Sequence, residues 1–296
     1  MNDVEARLRG SFARQTMMQT LGAAMDRAAE GAVTISAPIA PHVLRTPLVP
    51  APRLSELTGA TVLVKHENMQ ATGAFKERGA VNKLLSLSED ERRRGVIAMS
   101  AGNHAQGVAY ACSRLGVKAT IFLPRTTPRQ KRERVRVLGG PWVETVVEGD
   151  TYDVAATAAG EFAATTGATL VPPYDDLRTM AGQGTIAAEV LAQLDEVPDA
   201  VVVPVGGGGL AGGIATYLAE YAPDCKIIAV EPAGAPSLTR ALEAGEPVTL
   251  DTVDTFVDGA SVARLGDFPF GVISSMTERI QVLTVDEGAV CTEMLE

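Results

Sequence analysis

Residues 95–124 read GVIAMSAGNHAQGVAYACSRLGVKATIFLP and contain the pattern that decides the fold. GVIAMS (95–100) and KATIFLP (118–124) are short, mostly apolar runs, which are typical of buried parallel strands. Between them, HAQGVAYACSRLG (104–116) is typical of a helix. A strand, a helix and a second strand in this order predict a unit of two parallel strands joined by a helix.

The same alternation continues on both sides of this unit. Upstream, ATVLVKHE (60–67) indicates a strand and ERGAVNKLLSL (77–87) a helix. Downstream, a basic helix is followed by the predicted elements WVETVVE (142–148), ATLVPP (168–173), TIAAEVLAQL (185–194), DAVVVPV (199–205), LAGGIATYLAEY (210–221) and CKIIAVE (225–231). The sequence therefore predicts an α/β fold with two sheets and with helices on their faces.

Composition excludes several classes of protein. The chain has 296 residues, 46% of them hydrophobic, which suffices for one large domain or two smaller ones. Its three cysteines, an odd and sparse set, argue against a disulfide framework and fit the reducing cytoplasm. The net charge of −10 argues against a nucleic-acid partner. No apolar run approaches the ~18 residues that a membrane span needs. The one basic cluster, PRQKRERVR (128–136), predicts an exposed helix face.

Two loops at strand ends in the first half of the chain could carry chemistry. Residues 71–80 read ATGAFKERGA and place Lys76 behind an aromatic ring and among small residues. A lysine amine becomes a nucleophile toward carbonyls where its surroundings favour the neutral form. In the second loop, SAGNHAQG (100–107), backbone N–H groups at a helix start could bind a carboxylate or phosphate. Taken alone, this loop is better explained as an ordinary helix cap formed by Ser or Asn.

A third loop, PVGGGGLAGG (204–213), follows a predicted buried strand and opens a helix. Four consecutive glycines indicate a backbone that closely surrounds a ligand, most simply a phosphate. Gly207, Gly209 and Gly212 also match the dinucleotide-binding pattern, and Glu231 follows at the end of the next strand. An NAD-dependent oxidoreductase is therefore an alternative, although it leaves Lys76 without a task. Glu231 as a single carboxylate is a poor metal site, and no metal is expected.

These three motifs, in this order, resemble the serine/threonine dehydratases, which are pyridoxal phosphate enzymes of the tryptophan-synthase-β-like fold. The similarity runs from about residue 40 to the end. LVPPYDDLRTMAGQGTIAAEVL, FVDGASVARLGD and TVDEGAVC are similar to biosynthetic threonine dehydratase (threonine ammonia-lyase), whereas ENMQATGAFKERGAVNKL is closer to the catabolic branch. The resemblance implies two open, twisted, mostly parallel sheets (fold type II), the cofactor pyridoxal 5′-phosphate, an amino-acid substrate and a homo-oligomer.

The resemblance also implies a role for each matching residue. Lys76 would form a Schiff base with the cofactor and then remove the Cα proton of the substrate. Phe75 would pack against the cofactor ring. The remaining candidates are the cofactor-binding residues Asn103, Gly206, Gly207, Gly208 and Gly209 and the substrate-binding residues Ser100, Ala101, Gly102, Asn103 and His104.

The chain departs from the family pattern at two positions near these motifs. Ala74 replaces a usual Ser before the aromatic residue, which alters contacts without removing the lysine chemistry. Ala101 stands where the similar serine racemases have a Ser that acts as acid and base on the second face of the cofactor. Because alanine transfers no proton, little racemisation is expected.

The resemblance suggests three regions. These are an atypical extension (1–38), a large cofactor-binding domain (39–95 and 173–296) and a small domain (96–172). Residues 10–38 resemble the opening of a hotdog-fold thioesterase, without its catalytic residues. Dehydratases continue beyond CTEMLE at residues 291–296, so the large domain is expected to be incomplete.

The function expected is a lyase that converts threonine, and serine to some extent, to a 2-oxo acid and ammonia, as in isoleucine biosynthesis or threonine catabolism. Serine racemase and 3-hydroxyaspartate ammonia-lyase are alternatives on the same scaffold. A truncated, non-catalytic fragment that binds the cofactor is a further alternative.

Overall fold

The computed structural model describes residues 24–29, 32–36, 39–100, 102–150, 152–286 and 288–290. Predictions for Ala101, for most of segment 10–38 and for the end of the chain at 291–296 lie outside these residues. The strands are β1 (Ala24–Ala29), β2 (Ala32–Ser36), β3 (Leu48–Pro50), β4 (Leu63–Lys65), β5 (Val96–Met99), β6 (Ala119–Leu123), β7 (Val143–Val147), β8 (Thr169–Leu170), β9 (Ala200–Pro204), β10 (Lys226–Pro232) and β11 (Ile280–Val285).

The helices alternate with these strands through most of the chain. They are α1 (Pro52–Thr58), α2 (Lys76–Leu85), α3 (Glu89–Arg94), α4 (Asn103–Leu115), α5 (Arg129–Gly139), α6 (Tyr152–Thr166), α7 (Leu177–Gln193), α8 (Gly209–Tyr221), α9 (Ser237–Ala244) and α10 (Asp267–Ser274). The order confirms the predicted α/β class.

The described residues divide into two compact units. The lysine unit comprises residues 24–170 and 186–196, and the glycine unit comprises residues 171–185 and 197–290. Residues 39–95, predicted to belong to the large domain, fall in the lysine unit together with most of the segment predicted to form the small domain. The predicted domain boundaries remain a prediction.

The lysine unit contains a four-stranded parallel sheet in the order β7-β6-β5-β8. Its centre is β5, where Val96 pairs with Ala119 of β6 on one side and with Thr169 of β8 on the other. Ile97 on β5 and Phe122 on β6 are buried in one apolar cluster with Ala159 of α6. The opening stretch of sequence therefore forms the middle of this sheet, because its apolar strands need cover on both faces.

Two antiparallel pairs complete the strands of the lysine unit. β3 pairs with β4, and β1 pairs with β2. The strand predicted at 60–67 is thus present as β4, but its partner runs antiparallel to it.

The glycine unit contains a three-stranded parallel sheet in the order β11-β10-β9. Ile227 and Ala229 of the central strand β10 are fully buried. The sequence pattern did not predict the strands β1, β2, β3 and β11, nor the helices α1, α3, α6, α9 and α10.

Helix α7 begins well before the start predicted for it at residue 185. Gly182 and Gly184 interrupt the helical pattern in sequence, since glycine weakens a helix interior. In the structure a Cβ at Gly184 would lie 2.8 Å from the backbone oxygen of Gly213. The glycine thus permits close approach of α7 to α8 within the glycine unit, and the helix continues through it.

The basic cluster at 128–136 forms most of α5, in which only Val135 and Gly139 are buried. An exposed basic helix face was predicted, and the structure confirms it. Among the described residues, no helix is both long and apolar enough to cross a membrane.

Candidate active site

Lys76 is the first residue of α2, which begins without a side-chain cap at Phe75. The lysine Nζ lies 5.4 Å from the centroid of the Phe75 ring. The side chain is partly buried, and desolvation of its amine lowers the pKa of Lys76 to about 8. A lowered pKa increases the neutral fraction near pH 7, which is the form that attacks carbonyls and accepts protons.

The start of α2 packs closely against α4. A Cβ at Gly107 would lie 3.0 Å from the Lys76 carbonyl carbon and 3.0 Å from the Glu77 nitrogen. Any side chain at Gly107 would therefore push the backbone of Lys76 away. The sequence contained this residue within SAGNHAQG, but its contact with Lys76 depends on tertiary packing.

Helix α4 also begins without a side-chain cap, and its N-cap is Gly102. The Ser100 hydroxyl accepts a hydrogen bond from the Gly102 N–H at 3.2 Å, a local bond within the loop. His104 is buried, whereas Asn103 is exposed. The sequence suggested that Ser or Asn caps this helix, but the N-cap residue is Gly102 and forms no side-chain cap. Gly107, which contacts the Lys76 backbone, lies about one helical turn after this N-cap.

In the glycine unit, Gly208 is the N-cap of α8 and adopts a φ of 85°, a backbone conformation that favours glycine. As a glycine, this N-cap residue supplies no side-chain cap to the helix. The first N–H groups of a helix have no partner within the helix, and they carry partial positive charge. The start of α8 therefore suits a phosphate, as the sequence predicted.

The glycines of this loop also have a packing role that the sequence did not reveal. A Cβ at Gly207 would collide with the ring of Tyr174, and one at Gly208 would lie 2.7 Å from Pro269 Cβ. A Cβ at Gly206 would lie 3.0 Å from the Ala260 Cα. The loop is therefore glycine-rich partly because neighbouring segments of the glycine unit press against it.

Glu231 is fully buried at the end of β10 and caps helix α9. Its carboxylate accepts hydrogen bonds from the Leu238 N–H at 2.8 Å and the Thr239 N–H at 3.0 Å. The Thr239 hydroxyl bonds to the same carboxylate. This use of both oxygens argues against the ribose contact that a dinucleotide site would need. Within the described residues, no group of three or more His, Cys, Asp or Glu side chains is placed to hold a metal ion.

A buried network of charges lies two residues after Lys76 and was not predicted. The guanidinium of Arg78, which has no exposed surface, binds the carboxylates of Glu67 and Glu189 at 2.7 Å each. The amine of Lys65 donates to Glu189 at 2.6 Å. Desolvation, the largest single effect, raises the pKa of Glu67. The charge of Arg78 and the hydrogen bonds from Arg78, Thr46 and Gln70 together hold that pKa below its usual value. The charges of the two cations and the two anions therefore balance within this network.

The two units each contain one part of what pyridoxal phosphate requires. The lysine unit supplies a desolvated amine for the aldehyde, and the glycine unit supplies an uncapped helix start for the phosphate. The residues present therefore fit this cofactor.

Comparison with known proteins agrees with this geometry. Residues 39–296 match the family model for the pyridoxal-phosphate dependent enzymes. The chain is 53% identical over 293 residues to the biosynthetic L-threonine dehydratase IlvA of Mycobacterium bovis, covering 99% of the chain and 67% of that protein. It is 49% identical to the corresponding protein of Corynebacterium glutamicum, covering 93% of the chain and 64% of that protein.

The mycobacterial alignment also covers segment 10–38, so this segment, which resembled a thioesterase, has a counterpart in a threonine dehydratase.

Among solved structures, the processed form of threonine deaminase isoform 2 from Solanum lycopersicum has a TM-score of 0.82 and 39% identity, covering 93% of the chain and 75% of that structure. Maize serine racemase has a TM-score of 0.81 and 34% identity, covering 87% and 76%. Both likenesses confirm fold type II. The chain belongs to the pyridoxal-phosphate-dependent enzyme family and, within it, to the biosynthetic threonine dehydratases.

Proposed function

We propose that this chain converts L-threonine to 2-oxobutanoate and ammonia, with Lys76 as the base that removes the Cα proton. The observation that carries the proposal is the desolvated amine of Lys76 at the start of α2. A base whose pKa is near the working pH combines a substantial neutral fraction with enough proton affinity. When bound, pyridoxal phosphate supplies an electron sink for the negative charge that develops at Cα.

The other candidate residues bind and orient. Backbone N–H groups of Gly206, Gly207, Gly208 and Gly209 hold the cofactor phosphate at the uncapped start of α8. Phe75 and Asn103 contact the cofactor ring. Ser100, Ala101, Gly102 and His104, with Asn103, surround the substrate carboxylate at the start of α4. These roles follow the family resemblance, and the missing side-chain caps of α4 and α8 support them.

The overall reaction needs no outside oxidant or reductant. Lys76 takes the proton from Cα, and the β-hydroxyl leaves as water. Hydrolysis of the released enamine to 2-oxobutanoate and ammonia then consumes one molecule of water. The elimination has released one, so the overall reaction neither consumes nor produces water.

Racemisation on the same scaffold is the second candidate, because serine racemases are among the similar structures. The sequence argues against it, since Ala101 has no proton to give. Incubation with L-serine followed by chiral chromatography should therefore yield pyruvate and almost no D-serine. Comparable amounts of the two products would favour the racemase.

The decisive experiment maps the lysine that carries the cofactor. Borohydride reduction followed by peptide mass spectrometry should find the cofactor on Lys76, and Lys76→Ala should lose at least about 10³-fold in threonine turnover. An adduct on Lys65 or Lys83 would reject the assignment. A cofactor-bound protein that leaves threonine unchanged would instead support a non-catalytic fragment.

A further inference from the structure

The backbone just before Lys76 forms a tight turn at residues 71–74, here called the 71–74 turn. Gly73 has a φ of 76° and its N–H donates to the Gln70 carbonyl at 2.8 Å. The Thr72 hydroxyl donates to the Ala74 carbonyl at 3.1 Å. Because Phe75 and Lys76 follow directly, the shape of this turn sets where α2 begins and where the lysine amine lies.

A single carboxylate holds this turn from inside the protein. Glu77 Oε2 accepts a hydrogen bond from the Thr72 N–H at 2.8 Å, and Glu77 and Thr72 are both buried. The bond joins the residue after Lys76 to the turn before it. It thereby closes a short loop of backbone around the lysine.

Burying this carboxylate is unfavourable by itself. Desolvation raises the pKa of Glu77 and outweighs the opposing effects of the bonds from Thr72, of the Ala71 backbone and of the Arg78 charge. Within the described residues, its Oε1 is buried and has no hydrogen-bond partner. A buried group that lacks a partner costs stability, so its presence calls for a reason other than stability.

A leucine of similar size would avoid this cost but could not accept the bond from Thr72. The neighbouring Arg78 network shows the contrast, because its carboxylates are neutralised by cations. Glu77 has the geometry of a clamp on the turn and not of an ion-pair partner.

We infer that Glu77 is a positioning residue for Lys76, which fixes the 71–74 turn through the Thr72 N–H. The inference rests on the proposed function of Lys76. Glu77 acts through the backbone and takes no part in the proton transfer.

The test uses the full chain and three variants at this position. Glu77→Gln keeps an oxygen that can accept from Thr72, Glu77→Leu removes it, and Glu77→Asp keeps the charge but shortens the reach. The matched control is Glu91→Leu, because Glu91 also accepts a backbone N–H bond at 2.8 Å, from Ser88, in the exposed capping box of α3.

The first readout is hydrogen exchange of the Thr72 amide in cofactor-free protein. Glu77→Leu and Glu77→Asp should accelerate it at least about tenfold, which is the effect of losing one hydrogen bond of ordinary strength. Glu77→Gln and Glu91→Leu should leave it within about threefold of wild type on the same scale.

The second readout is threonine turnover by the loaded enzyme. Glu77→Leu and Glu77→Asp should lower kcat by about 10- to 100-fold, because a misplacement of about 1 Å can cost that much, while KM changes little. Glu77→Gln should restore kcat to within about threefold of wild type by the same reasoning. If Glu77→Leu fails to fold, Glu77→Asp against Glu77→Gln carries the comparison.

Wild-type exchange of Thr72 in Glu77→Leu or Glu77→Asp would overturn the clamp. Faster exchange with unchanged kcat, or equal losses in the Gln and Leu variants, would overturn the positioning role. Failure of the proposed function is a separate result, since the exchange readout needs neither cofactor nor threonine.

Discussion

Two partly buried lysines of the lysine unit, Lys65 and Lys76, lie in different surroundings. Lys65 donates to Glu189, to Gln193 and to the Thr46 carbonyl, so its three N–H groups all have acceptors. Desolvation lowers the pKa of Lys65, but Glu189 opposes the effect. For Lys76, desolvation brings the pKa down to about 8. Lys65 is thus held among three acceptors, whereas desolvation shifts Lys76 toward its neutral form.

The glycine unit shows the same contrast at two helix starts. Helix α9 is capped by the buried carboxylate of Glu231. Helix α8 begins at Gly208 with no side-chain cap. A capped helix start is already satisfied, whereas an uncapped one retains N–H groups for a ligand.

Both contrasts teach the same lesson. Lys65 and the start of α9 are defined by their hydrogen-bond partners, whereas Lys76 is distinguished by the desolvation of its amine and α8 by a glycine N-cap. This is expected of enzymes, in which perturbed groups cluster where chemistry occurs.

The largest effect on stability should come from removing a carboxylate from the buried network around Arg78. Glu189→Ala leaves Arg78 and Lys65 buried without one of their carboxylates, which should lower the free energy of unfolding by about 3–5 kcal/mol. Denaturant unfolding measures it. Glu133→Ala, which removes an exposed pair with Arg136 on α5, is the control and should change nothing measurable. Equal stability of the two variants would show that the buried network contributes no more to stability than the exposed ion pair.

The next prediction concerns the ionisation of Lys76 in the cofactor-free protein. Acylation of its amine, followed by peptide mass spectrometry, should rise with pH through a midpoint near pH 8, because only the neutral amine reacts. A free lysine derivative has its midpoint near 10.5. The unfolded chain keeps this proton longer, so stability relative to Lys76→Met should rise between about pH 8 and 10.5. A midpoint equal to that of the free amine would contradict the desolvated site.

The smallest effect separates charge from shape at the start of α8. Gly208→Asp and Gly208→Asn are nearly equal in size, and both residue types tolerate positive φ better than most. Both should therefore suffer the same crowding against Pro269 and Leu265. The aspartate should bind pyridoxal phosphate at least about tenfold more weakly than the asparagine, since only it repels the phosphate. Equal affinities in a cofactor titration would place the phosphate elsewhere.

Sequence reasoning worked best where the signal was local. The strands β5 and β6 and the start of α2 followed from runs of a few residues, and Lys76 was singled out by its small neighbours. It was weaker at α7, for which only the part from residue 185 onward was predicted. Gly184 serves the close approach to Gly213, which no local pattern contains.

The sequence by itself determined the α/β class and the order of the three motifs, and it predicted Lys76 as the catalytic lysine, because these depend on periodicity and on residue chemistry. Only the tertiary structure decided what each polar group does. Lys65 and Glu189 are 124 residues apart in the chain, and their bond exists only once the chain is folded. The same holds for the contact of Gly107 with Lys76 and of Tyr174 with the glycine loop. Burial and partner choice arise from packing between distant segments, so they set the pKa values and caps that a linear pattern leaves open.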